Sequence, residues 1–234
     1  MSWWQQMVAV ARSESQIERR AGDVLWVAIP FGLAALLLLA IAAGADLPRL
    51  RQLGPGIYWA LLLLFGTLVS LRQATTEPPE RREALLLAGL DSSARHLGRV
   101  VVAAGTLAMF GVVLVPVLVA LYDPGLGAVA RLVAFLPVVA VGLGGLGTLA
   151  AELTGSLRDR SLLAPLLVVP LAVPLAVAAT QAVEGATYRQ SLAPWLVLAL
   201  AVDALALVAG TVAAPALQTV TASVPDRVAR GRRR

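Results

Sequence analysis

A chain of 234 residues that is 59% apolar and only 14% charged is no ordinary soluble domain, which carries about a quarter charged residues. Without cysteine it has no disulfide, thiolate metal site or cysteine nucleophile, and a mean hydropathy of +0.81 assigns it to the membrane class. The net charge of +5 is entirely arginine, because there is no lysine; the arginines flank apolar runs, so the basic pI points to no nucleic acid.

In chain order, residues 1–23 come first. Trp3, Met7, Val10 and Ala11 recur at helical spacing, with Gln5, Arg12 and Arg19 on the other side. Tryptophans favour the headgroup level, so an amphipathic helix lying in the membrane interface is expected, turning into the first span at Gly22-Asp23. Six runs are long enough to cross a hydrocarbon core of about 30 Å: Val24–Ala45, Leu53–Leu71, Val100–Tyr122, Leu132–Ala151, Ser161–Val183 and Leu192–Leu217. Long runs without alternation predict helices, whose backbones are satisfied internally. The fold class is an all-α integral membrane protein, one domain over 1–234.

Fifteen of the nineteen arginines fall in the N-terminal segment, the second-to-third and fourth-to-fifth connections and the tail at 218–234. Only Arg49, Arg51, Arg131 and Arg189 fall on the other side. The asymmetry predicts cytoplasmic N and C termini. The basic tail reads as a topology anchor near anionic lipid.

The connection at 72–99 stands out. Pro78 and Pro79 suit a first helical turn, with Glu77, Glu80 and Glu83 at the positive end of the dipole. A helix over Pro78–Ala88 is predicted, with Gly89 as its stop. Asp91 or Ser92 then caps a new helix that runs through Arg95 and Arg99 into the third span. Leu85, Leu86, Leu87 and Leu90 form an apolar cluster that needs a partner, either lipid headgroups or a cytoplasmic protein with a matching groove.

Within the spans, Gly147, Ala151 and Gly155 suggest a tight helix contact. Pro165, Pro170 and Pro174 mark the fifth span as a hinge or a static curve. Asp203, in the middle of the sixth, should face the bundle interior, a partner or water. Glu152 reads as an anchor beside Arg158 and Arg160, and the single histidine, His96, falls in the cytoplasmic loop. No G-x-x-x-x-G-K-[ST] occurs, so no P-loop nucleotide site is expected, and no convergent nucleophile, base or metal set points to an enzyme.

The runs PGIYWALLLLFGTLVSL, EALLLAGLDSSARHLGRVV and LLAPLLVVPLAVPLAVAAT, in that order, resemble the CcmB family, the haem exporter protein B. The resemblance covers about Gly54 to Thr180, and its most specific piece is Pro170-x-x-x-Pro174. It implies an ABC-2-type exporter permease of the bacterial inner membrane, in two copies and serving cytochrome c maturation. Glu83, the preceding Arg81 and Arg82 and the following leucines would form the helix that couples to a separate CcmA-like ATPase. It also implies a CcmC-like haem-handling protein, a small CcmD-like subunit and a CcmE-like haem chaperone. Haem would be the substrate of the complex and ATP the partner's ligand, with no cofactor bound by this chain. Arg81-Arg82 replace the glycine and leucine usual before the glutamate, and Gly89 replaces a common proline, which alters the docking geometry without removing the helix. A permease exporting a lipid, glycan or drug, a non-transporting assembly subunit and an intramembrane enzyme are the alternatives that remain open.

Overall fold

The structure is a computed structural model that describes residues 2–21, 23–44, 46–75, 91–154, 160–186, 188 and 190–222. The predicted coupling helix, with Arg81, Arg82, Glu83, Leu85, Leu86, Leu87 and Leu90, lies outside the described residues, as do Gly155, Arg158 and the tail from 223. The described residues form seven α-helices and no strand: α1 (Trp3–Ala21), α2 (Asp23–Ala42), α3 (Leu47–Thr75), α4 (Ser92–Tyr122), α5 (Leu126–Thr154), α6 (Arg160–Glu184) and α7 (Ala193–Ala222). Six of them, α2 to α7, are long and apolar enough to cross a membrane, as expected from the sequence.

Three helices begin earlier than their apolar runs. α3 starts at Leu47, α4 at Ser92 and α5 at Leu126, where the runs were expected from Leu53, Val100 and Leu132; for α4 this is the helix expected from a cap at Asp91 or Ser92. Arginines had set those limits, and in the structure partners hold them. Arg99 approaches the Glu152 carboxylate, while Arg131 donates to the carbonyls of Ala182 (3.1 Å) and Gln190 (2.9 Å). The second pair places a cation at the C-terminal end of α6, where the helix dipole favours it. α4 has 31 residues and is therefore about 46 Å long, well beyond a hydrocarbon thickness of about 30 Å.

α5 is the centre of the bundle, packed on α3, α4, α6 and α7. Phe65 of α3 and Phe110 of α4 stack with ring centroids 4.1 Å apart. Gly144 brings α5 against the backbone of α4, since a Cβ there would lie 3.0 Å from Ala104 N and 3.2 Å from Val100 O. At the opposite end to Ser92, buried Tyr122 donates from its hydroxyl to Leu36 O (2.7 Å), tying α4 to α2. Asp123 then ends α4 with left-handed backbone, φ 41°, and pairs with Arg51.

The outer surface is apolar: Trp26, Phe31, Leu166 and Val212 are all exposed. The hydroxyls of Thr106 and Thr180 bond back to the carbonyls four residues earlier, which satisfies them without a partner helix. Between α2 and α3 a crevice of about 370 Å³ opens, lined by Val27, Phe31, Leu61, Leu64, Phe65 and Phe110 among others. α2 leans chiefly on α4 and hardly on α3.

Candidate functional site

The polar side chains that the fold brings together lie at the first turns of α4. Asp91 caps this helix: its Oδ1 accepts from Ser93 N (2.8 Å) and Ala94 N (3.4 Å). These bonds, that of the Ser93 hydroxyl first, hold the carboxyl below the usual aspartate range. α1 is stapled to the same turn. Trp3 Nε1 donates to Ser93 Oγ (3.0 Å), and Asp91 N donates to Gln6 Oε1 (3.0 Å). Gly98 admits α1 closely, because a Cβ there would lie 2.9 Å from Val10 Cγ1. Trp3 and Val10, expected on the face laid into the headgroups, are therefore turned to α4, while Trp4 and Val8 stay exposed.

One turn on, His96 enters the bundle and is completely buried. Its Nδ1 lies 2.9 Å from Glu152 Oε2 on α5. With the Glu152 carboxyl accepting, Nδ1 is the nitrogen that donates. Arg99, one turn further along α4, places a guanidinium nitrogen 3.9 Å from Glu152 Oε1. On its other side the imidazole presses against α7: a Cβ built on Gly210 would lie 2.0 Å from His96 Nε2. Nε2 has no hydrogen-bond partner among the described residues. α4, α5 and α7 thereby meet around one imidazole, and α1 is held to the same turns of α4.

This arrangement bears on two expectations. His96, expected in the cytoplasmic loop, is carried into the bundle by the helix that Asp91 caps. Glu152 faces His96 and Arg99 across the helix contact, where burial gives a carboxylate strong reason to meet a donor. With Nδ1 engaged and Nε2 covered by Gly210, neither nitrogen is open to a metal in this conformation.

Of the other residues singled out, Asp203 is buried at the middle of α7, 5% exposed, against Gly142 of α5. Pro170 and Pro174 lie in the unbroken α6 and are exposed on its outer side. The close contacts of α5 include Gly142 and Gly145 toward α7 and Gly144 toward α4. Gly147 and Ala151 are also buried.

The CcmB protein family model matches residues 5–220. This chain belongs to the CcmB family. The match runs from α1 almost to the end of α7 and includes every residue of the His96 cluster. It makes the chain a multi-pass membrane permease of cytochrome c maturation and a haem-exporter permease component, in a family of permease subunits that associate with other Ccm components. No curated protein matches the chain.

Proposed function

We propose that this chain is the membrane-spanning subunit of an ABC transporter of the bacterial inner membrane, driven by a separate CcmA-like ATPase that grips residues 78–90. The observation that carries this reading is the family match over residues 5–220. The fold adds a physical reason. Residue 90 is followed at once by Asp91, the cap of α4, and within two turns α4 is joined to α5 by Glu152 and to α7 by Gly210. A push on 78–90 is thus delivered to three membrane helices. Both termini are cytoplasmic in this reading, α1 lies along the inner headgroup layer, and two copies work with CcmC-like and CcmD-like subunits. ATP hydrolysis serves to release a haem-loaded CcmE-like chaperone, with haem as the substrate of the complex. The subunit itself performs no catalysis; its work is mechanical.

Replacing Leu86 or Leu87 by aspartate puts a charge on the apolar cluster. Cytochrome c maturation is expected to stop while the chain still inserts, and the co-purifying ATPase should turn over without coupling. Normal maturation in both variants would remove 78–90 from the coupling role.

A further inference from the structure

α7 turns a row of small residues into the bundle: Ala199, Asp203, Ala206, Gly210 and Ala214 are all buried at helical spacing. Asp203 is the single polar side chain in that row. Across from it, α5 presents Gly142 and Gly145. A Cβ on Gly142 would lie 2.2 Å from Asp203 Oδ1 and 2.7 Å from Leu175 Cδ2. The carboxyl group is therefore laid on a bare Cα, beside a leucine of α6, and Oδ1 has no hydrogen-bond partner among the described residues.

The helices packed on α7 bring no counter-charge to this level. On α5 the ionisable side chains are Arg131 and Glu152, each about 15 Å along the helix from Gly142. On α6 they are Arg160 and Glu184, at its two ends. On α4, Arg95, His96 and Arg99 belong to the first turns, at the level of Glu152, and Tyr122 closes the opposite end. Within α7 itself Asp203 is alone. An ionised carboxylate without a donor or a cation in such surroundings is far costlier than the neutral acid. The contact with Gly142 leaves no space for a hydrated cation on that side of Oδ1, whereas a proton fits there.

We infer that Asp203 is a proton-binding site that closes the seam between α5 and α7. Its carboxylate takes up one proton from water, forming an O–H bond, and packs on Gly142 as the neutral acid. When the seam parts and water reaches it, the same bond breaks and the proton returns to solvent. Nothing is oxidised or reduced. The site is independent of residues 78–90 and of the identity of the ATPase.

Two measurements on the full chain in lipid test this. At neutral pH the fourteen Asp and Glu residues should show one un-ionised carboxyl carbonyl band in the infrared, lost in Asp203→Asn and shifted in Asp203→Glu. Absence of that band from the unmodified protein overturns the inference, whatever the variants do. The second measurement uses the lack of cysteine. A Cβ at Gly145 lies 3.5 Å from Ala206 Cβ, within the span of a disulfide, so a Gly145→Cys/Ala206→Cys pair reports seam closure. Its oxidation yield, relative to the same pair in Asp203→Asn, should fall by about tenfold per pH unit above the site's titration point, the slope of one proton. Identical pH profiles in the two backgrounds would overturn it.

Discussion

Gly210 is the residue on which the lock at the head of α4 closes. A methyl group there meets His96 at 2.0 Å, and the ring, fully buried and tied to Glu152, cannot swing aside. Gly210→Ala should cost about 1–3 kcal/mol, the range for overpacking. Gly105→Ala, on α4 with nothing within 4 Å of the added carbon, serves as the control and should gain about 0.5–1 kcal/mol from helix propensity. Thermal unfolding in detergent compares the two. Truncating Glu152 to alanine takes the carboxylate from both His96 and Arg99, and about 3–5 kcal/mol is expected for breaking a buried pair. Glu152→Gln, which keeps an acceptor for Nδ1, should lose distinctly less. None of this was legible residue by residue. A histidine followed by Leu-Gly-Arg looks solvated until the opposing helices are placed, and its partners lie 56 and 114 positions downstream. The one available signal was that a carboxylate late in an apolar run must find a donor.

Among the elements, α4 was the most legible. Asp91 or Ser92 was expected as the cap of a helix running into the third span, and it is Asp91 that caps. Asp91→Ala should destabilise by about 0.5–2 kcal/mol. Because the Ser93 and Ala94 bonds lower the carboxyl's pKa in the folded chain, the cap's contribution is fully present above the ordinary aspartate value. It is lost as pH falls through the folded value. An acid titration of unfolding should show that loss in the unmodified chain and not in Asp91→Asn. The count of six spanning helices came from length and hydropathy alone, since lipid imposes both. The starts of α3 and α5 were misjudged where arginines interrupt the apolar pattern, because a guanidinium that finds a carbonyl or a carboxylate does not stop a helix. Pro170 and Pro174 were legible as helix residues, and α6 runs through both without a break.

Among the described residues, stability rests on apolar packing around α5 and on buried polar ties, and little on the exposed ion pair of Arg51 with Asp123. Arg51 and Asp123 are each more than half exposed, so Arg51→Ala should change stability by about 0–1 kcal/mol, far less than Glu152→Ala in the same unfolding assay. The relation between helices was the part no periodicity revealed. Small residues on α5 and α7 announced close approach in general, but which glycine meets which helix depends on rotations that a one-dimensional pattern does not encode.

The loose flank beside α2 has its own consequence. That helix is fastened to α4 by Tyr122 and touches α3 far less, so a shift of α4 should carry it along as a passenger. The gap it leaves beside Phe65 is almost entirely apolar, and surrounding fatty-acyl tails should flow in or be squeezed out as the passenger moves. Stiffening those tails, with saturated in place of unsaturated lipid, should therefore slow the machine, while Tyr122→Phe, which unties the passenger, should blunt that dependence.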